Sequence, residues 1–305
     1  MVSITIKKIK GKEYLYLVES IRKGDKVTQK TVKYIGRKRP VLNEELECMK
    51  LSYYNNDWIL TEFRDELPYT EHHKMKVASG NYKRYMNSLD KMSREKEKQK
   101  FLSNFIASSN AIEGSTLTPK ETYDFLFNDL VPKDHSKKEF FMAQNLLSAW
   151  EYVEANCSRF PTHNDLFELH KRVNLNIETE KTLGKYKTVQ NYIGDVYTSS
   201  FLFAEEKMDK LLQWIKTAST KIDDFEVAFQ SHAQFEIIHP FVDGNGRVGR
   251  LLLNWLLMMN GVMPLAIRSK MRNEYISALN NARNGKFEAI SKFCSEEYLE
   301  QYKFV

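Results

Sequence analysis

The 305-residue sequence predicts a mainly α-helical protein preceded by a small antiparallel β segment. Three observations lead there. Residues 1–40 interleave β-branched and aromatic residues with lysines, in short runs of strand length. From residue 41 onward, apolar residues recur at helical spacing. One stretch, "GKYKTVQNYIGDVYTSS" at 184–200, departs from that spacing and reads as a lone hairpin.

The β segment comes first. "ITIKKI", "EYLYLVESI" and "VTQKTVKYIG" predict strands over 3–9, 13–21 and 27–35, with tight turns at Gly11 and at Gly24-Asp25. "GRKRP" closes this unit. Helices are then expected near 43–64, 75–96, 98–113, 119–130, 137–157, 163–175, 204–220, 224–237, 245–259, 268–284 and 286–302. Thr118-Pro119 supplies a cap and an N1 proline, Thr162 to Asp165 a weaker cap, and Gly261 follows a helix end. No internal repeat is present. Three regions are expected: a basic β-rich segment over 1–40, a helical region over 41–134, and a helical core over 135–305.

Composition excludes several classes. The chain is 42% hydrophobic and 28% charged with 12 Gly and 7 Pro, which suits a globular protein and not a low-complexity one. The apolar run Leu251 to Met259 is interrupted by Asn254 and is too short to cross a bilayer, so no membrane role is expected. The start has no basic region followed by an apolar one, and Cys48, Cys157 and Cys294 have no paired spacing. A cytoplasmic protein with reduced thiols is the expectation. The net charge of +6 is unevenly spread. Residues 1–40 hold 12 Lys/Arg against 3 Asp/Glu, leaving a net of −3 for the remainder. Such a basic sheet could lie on nucleic acid or on an acidic partner. Alternatively, its lysines keep the sheet soluble and discourage edge pairing, the favoured reading because no stacking aromatics stand at recognisable spacing.

The chemistry concentrates in "IHPFVDGNGRVGRLLLN", residues 238–254. After the helix expected to end at 237, the chain breaks at Pro240 and a new helix starts near Asn245. Gly244 and Gly246 allow close backbone approach to a ligand. The first N–H groups of the following helix have no intrahelical partners, which makes an anion site suited to phosphate. Arg247 and Arg250, three apart, are expected to project from one helical face toward the same di- or triphosphate. Asp243 can offer a hard oxygen to the Mg²⁺ that such a phosphate chain carries. His239 is the nearby group able to accept a proton near neutral pH. The apolar helix that follows holds the loop still from within the core.

"HPFVDGNGRVGR" resembles the Fic family signature His-Pro-Phe-x-Asp/Glu-Gly-Asn-Gly-Arg-x-x-Arg, and the likeness extends over roughly residues 95–300. It includes "EFFMAQNLLSAWEYV", "LFELHKRV", "GKYK" and "YISALNNARNGKFEAISKF". The resemblance implies a Fic-type helical domain with a β-hairpin flap that moves AMP from ATP onto a protein hydroxyl. In that chemistry His239 would be the base and Phe241 would anchor the loop. Asp243 would bind Mg²⁺, and Gly244, Asn245 and Gly246 would cradle the α- and β-phosphates. Arg247 would hold the β-phosphate and Arg250 the γ-phosphate. Gly246 implies nucleotidyl transfer, because a kinase-like branch of the family has Lys there. The hairpin would be a flap that docks the target protein by strand addition, through Val189, Gln190, Asn191, Tyr192, Ile193, Gly194, Asp195, Val196 and Tyr197. Lys187 stands where relatives have Arg, which keeps the charge and loses the planar fork.

The resemblance also gives meaning to "SNAIEG", Ser109 to Gly114. Read alone, it is a helix C-terminus with glycine just past it. It is similar to the family's inhibitory motif, in which Glu113 would pair bidentately with Arg250 and misplace the triphosphate of bound ATP. Two further readings stay open. The same site could remove AMP from a modified protein, with Glu113 positioning a water. Alternatively, the basic sheet could make the chain a binding regulator. Self-modification is a further expectation for the transferase, and a homodimer that buries the inhibitory side would be a natural regulator. His232 and His170 are expected to be packed core histidines, as no third metal ligand is near.

Overall fold

The computed structural model describes residues 1–23, 26–54, 60, 62–193 and 196–303. The turns expected at Gly24-Asp25 and Gly194-Asp195 lie outside these residues. Three strands, β1 (Val2–Ile9), β2 (Lys12–Lys23) and β3 (Lys26–Arg37), form an antiparallel sheet in sequence order. Gly11 turns between the first two at φ 77°, in the left-handed region that glycine enters freely. The sheet rests on α1 (Asn43–Tyr54) through a small core of Val2, Leu17, Met49 and Phe203.

Of the helix expected over 43–64, the described part is Asn43–Tyr54, and residues 62–64 are not helical. Leu60 and residues 62–67 make hydrogen bonds elsewhere. Leu60 N donates to Gln234 Oε1 at 2.8 Å, Leu67 N donates to Glu226 Oε1 at 2.8 Å, and the Arg64 carbonyl accepts from Gln230 Nε2 at 2.9 Å. Side chains of a buried helix thus replace the helical ladder that this segment would otherwise need. The next two helices also divide differently from expectation, as α2 (Tyr69–Ser88) and α3 (Lys91–Ile112). The break falls at Asp90, whose carboxylate accepts from Met92 N and Ser93 N at 2.9 and 3.0 Å as an N-cap.

The remaining helices are α4 (Pro119–Phe127), α5 (Lys137–Asn156), α6 (His163–Val173), α7 (Ala204–Ala218), α8 (Asp224–Ile238), α9 (Asn245–Met259), α10 (Arg272–Arg283) and α11 (Glu288–Gln301). Thr118, Ser136 and Thr162 each cap their helix reciprocally with an acid at the third position. A two-stranded ribbon, β4 (Tyr192–Ile193) with β5 (Val196–Tyr197), pairs Tyr192 with Tyr197. At the centre lie α8 and α9. Every residue of α8 from Phe225 onward is buried, as is α9 from Arg247 to Leu257. Helices α3, α5 and α6 pack on α9, while α7, α10 and α11 pack on α8. Among the described residues, no helix is long and apolar enough to cross a membrane.

One buried carboxylate fastens the start of α6. Asp165 is 1% exposed and accepts from Arg159 Nη1 and Nη2 at 2.6 and 2.7 Å, Tyr152 Oη at 2.8 Å and Thr162 N at 2.8 Å. Burial pushes its pKa up, but Arg159, Thr162 and Tyr152 outweigh that and hold the carboxyl well below the ordinary range. Asp165→Ala is expected to lose about 2–3 kcal/mol of stability at neutral pH in urea unfolding. Because the folded pKa is depressed, the difference from wild type should shrink as pH falls below about 4.

Candidate active site

The loop between α8 and α9 is built from both ends. Pro240 disfavours the right-handed helical region for His239, and His239 takes φ 51°, ψ 61°, ending α8 with its N–H donating to the Phe235 carbonyl at 2.8 Å. A non-glycine residue in that region is held there at a cost of about 1–2 kcal/mol. Phe241 then plugs the core, fully buried, with its ring 4.1 Å from that of His170 and nearly parallel to it. Asn245 closes the loop. Its Oδ1 accepts from Phe241 N at 2.8 Å, and its Nδ2 donates to the Phe241 carbonyl at 2.9 Å. The Asn245 side chain is therefore occupied within the loop, and it would be the backbone at this position that faces a phosphate. Gly244 sits at φ 73° against Asn174, where an added Cβ would overlap the amide.

The outer surface of the loop carries its charge. Asp243 leaves 59% of its side chain exposed, and its Oδ2 lies 3.7 Å from Arg247 Nη2. The first turn of α9 follows without a side-chain cap, so its N–H groups and their partial positive charge face the same opening. The two arginines diverge. Arg247, 3% exposed, donates to the Val173 carbonyl at 3.4 Å and to Asn174 Oδ1 at 3.0 Å, while its buried Nε has no partner. Burial lowers its pKa. Arg250, 2% exposed, turns toward α3. Its Nε donates to Ser109 Oγ at 2.8 Å, and its Nη2 donates to the Ser109 carbonyl at 2.9 Å and to Glu113 Oε1 at 2.8 Å. Burial opposes the Arg250 charge, but Tyr275 and Glu113 sustain it.

Glu113 meets Arg250 through one oxygen, not the bidentate fork that was expected, because Ser109 takes other guanidinium donors. Its position decides more than its pairing. A Cβ built on Gly246 would overlap Glu113 Oε1, so the carboxylate lies directly on the first turn of α9. Gly114 follows at φ 99° and lets the chain leave α3 there.

His239 has a companion that the sequence reading missed. Glu236, three residues earlier on α8, places Oε2 3.6 Å from His239 Nδ1. Burial raises the Glu236 pKa, but His239, His232 and Arg250 outweigh it and keep the carboxyl below the usual range. A buried carboxylate on that side favours a proton on Nδ1 and leaves Nε2 as the basic nitrogen. His232, which packs in the core, stacks on Tyr275 with Nε2 2.6 Å from the phenol oxygen, and burial lowers its pKa to about 4.

His170 and Asn174 were also undervalued. Gly184 N donates to His170 Nδ1 at 3.0 Å, so Nε2 carries the proton and donates to the Asp243 carbonyl at 3.1 Å. Burial lowers the His170 pKa to about 4, which keeps the ring neutral in that role. Asn174 Nδ2 reaches the same carbonyl at 3.3 Å. Their spacing of four, from the last turn of α6 to the residue that ends it, is the signal that could have found them.

Lys187 lies beneath the ribbon. It is 2% exposed and donates to Asn191 Oδ1 at 2.7 Å and Thr198 Oγ1 at 2.8 Å, while its backbone N–H donates to the Pro240 carbonyl at 2.8 Å. Asn191 Nδ2 in turn donates to the Phe241 carbonyl at 2.6 Å, so the ribbon base and the loop are one hydrogen-bonded unit. Val189 and Tyr192 are exposed beside it at 56% and 48%, whereas Gly194 and Asp195 lie outside the described residues.

A mainly helical chain with a rigid loop closed between two buried helices, its outward side left to Asp243 and uncapped helix amides, is the class that this geometry defines. Residues 160–257 match the Fic/DOC family. Residues 2–50 match the N-terminal domain of IS1634 family transposases. Protein adenylyltransferase Fic of Nematostella vectensis is 32% identical over 201 residues, which cover 64% of this chain and 47% of that protein. Protein adenylyltransferase fic-1 of Caenorhabditis elegans is 29% identical over 232 residues, covering 73% and 44%. The chain thus spans less than half the length of these curated relatives. Among solved structures, C. elegans Fic-1 (residues 134–508) superposes with TM-score 0.66 at 24% identity, covering 76% of this chain and 71% of that one. A Fic domain containing signaling protein from Bacteroides thetaiotaomicron VPI-5482 gives 0.67 at 22% identity, covering 75% and 95%. These likenesses are of fold.

Burial of Lys187 lowers its pKa to about 7. The folded state therefore holds a neutral amine where the unfolded chain binds a proton, and the contribution of this group to stability rises between about pH 7 and pH 10. Thermal unfolding across that range should show the rise, and Lys187→Gln should flatten it. An unchanged slope in the variant would assign the rise to other groups.

Proposed function

We propose that the chain is a Mg²⁺- and ATP-dependent protein adenylyltransferase that Glu113 holds in an inhibited state. The observation that carries this reading is the seat of Glu113. Its Oε1 lies 2.8 Å from Arg250 Nη2 and against Gly246, where the phosphates of a nucleotide on the loop would lie. The names of the curated relatives support the reaction class.

In the reaction, His239 Nε2 takes the proton of a target hydroxyl as its oxygen bonds to the α-phosphorus of ATP, and pyrophosphate leaves. The first-turn amides of α9 and Arg250 neutralise the phosphates. Asp243 fits a site for Mg²⁺, which takes one or two carboxylates and completes its shell with phosphate and water oxygens. When bound, that ion would supply charge neutralisation at the phosphates. The ribbon at 192–197, joined to the loop through Asn191, would dock an extended target segment by strand addition. Self-modification follows the same course with a hydroxyl of this chain.

A second reading uses the same groups. The Glu113 side chain retains 35% exposure beside the loop, so it can orient a water toward a phosphoester and the site can release AMP from a modified protein.

Incubation with Mg²⁺ and α-labelled ATP separates these readings, with label followed on the protein itself and on added lysate. Glu113→Gly is expected to label at least about tenfold more than wild type, given how steeply rate depends on substrate placement, and His239→Ala not at all. Equal labelling by wild type and Glu113→Gly would remove the inhibited transferase. Loss of AMP from labelled protein that requires Glu113 would support hydrolysis. Glu236→Gln tests the orienting carboxylate: kcat should fall by about 10²-fold while the KM for ATP holds, the range for losing a well-placed proton acceptor.

A further inference from the structure

The two faces of the β1–β2–β3 sheet differ. One packs on α1 and Phe203. On the other, strand register brings together residues that are scattered in the sequence. Lys7 lies opposite Tyr14, Ile9 opposite Lys12, Tyr16 opposite Tyr34 and Tyr14 opposite Arg37. Directly opposed residues share a face. A shift in register between Leu15 and Tyr16 makes room for Ile35 as an extra residue that turns inward, and this draws Tyr34 onto the same face as Tyr14 and Tyr16.

The result is a cluster of rings edged by cations. Tyr34 stands 5.3 Å from Tyr16 and 6.0 Å from Tyr14, and is itself 52% exposed. Lys7 Nζ lies 4.7 Å over the Tyr16 ring. The described acids of the sheet are directed elsewhere. Glu13 opposes Lys8 and pairs with Lys38 at 2.8 Å, whereas Glu19 opposes the buried Val2 and accepts from Tyr53 Oη at 2.9 Å.

We propose that this face binds single-stranded nucleic acid, with bases stacked on Tyr34 and its neighbouring rings and phosphates held by Lys7, Lys12 and Arg37. Charge complementarity selects a polyanion, since residues 1–40 carry 12 Lys/Arg against 3 Asp/Glu. The rings select among polyanions. They are too close together for a base to enter between them, so bases stack on their outer surfaces, as on single-strand platforms. A duplex keeps its base faces covered, and an acidic polypeptide brings no planar group to stack. The site uses none of the loop residues and goes beyond the enzymatic reading.

Fluorescence anisotropy of the full chain with a fluorescein-labelled single-stranded oligonucleotide of about twenty bases tests the proposal, with DNA and RNA in separate arms. Binding should weaken about tenfold or more between roughly 50 and 200 mM salt, as for a few phosphate contacts. Tyr34→Ala should weaken it by about tenfold, while Tyr34→Phe, which keeps the ring, should bind like wild type. Tyr34→Ala should also retain the AMP-transfer activity of its parent, which keeps failure of this proposal separate from failure of the enzymatic one. Absence of binding at the lower salt would overturn it, as would undiminished binding by Tyr34→Ala. Tighter binding of a matching duplex or of polyglutamate would overturn it in favour of those partners.

Discussion

A guanidinium buried at the centre of a helical domain constrains everything around it. Arg250 is 2% exposed, and removing such a charge from water costs several kcal/mol unless partners replace the solvent. The hydrogen-bond acceptors for its Nε and Nη2 come from the end of α3, where Ser109 and Glu113 stand four apart on one face, and Tyr275 of α10 adds to them. Docking of that helix end on α9 is therefore a consequence of the Arg250 charge as much as of apolar packing. One of its partners, Glu113, is an anion, and in the proposed function a phosphate takes its place.

The loop is fixed by the same principle applied to its backbone. Asn245 holds both polar groups of Phe241, His170 and Asn174 hold the Asp243 carbonyl, and Lys187 and Asn191 tie in the residues after His239. Burial keeps His170 neutral, so it donates without adding a charge behind the loop. These contacts all come from the protein side. The outward side is left to Asp243 and the first amides of α9, an arrangement of donors that needs no reorganisation when an anion arrives.

Much of this was legible in the sequence because the relevant residues are consecutive there. "HPFVDGNGRVGR" places a break, two glycines and a helix start in one run, and local rules suffice to read it. The strands and most helices were legible for the same reason. What escaped depends on contacts between distant residues. Leu60 and Arg64 fall within a predicted helix but, like Leu67, are held by side chains of α8, and no local rule anticipates that. Glu236 looks like one more polar residue of a helix, and only its spacing of three from His239 hints that the two approach. The three tyrosines of the sheet have no regular spacing in sequence; a single bulge aligns them. Asp90 was a local signal, a cap before "KMS", that helical periodicity on either side obscured.

The unequal burial of the Glu113–Arg250 pair determines how it can open. Glu113 keeps 35% of its side-chain surface, so returning its carboxylate to water carries little penalty. Arg250 cannot follow, and withdrawal of Glu113 alone would remove its hydrogen-bonded counter-ion and leave Glu236 as the nearby buried carboxylate, the more costly half of breaking such a pair. Ser109 would remain, but its hydroxyl and carbonyl are neutral. Opening is therefore favoured only in step with the arrival of another anion at the first turn of α9. In the proposed function, release of inhibition is an exchange of one anion for another on a fixed cation, not a free motion of α3. A ligand shifts such a balance only by its difference in affinity for the two arrangements. The phosphate nearest Arg250 must then bind better than Glu113 does, and the carboxylate sets the threshold that any activating substrate or partner has to exceed.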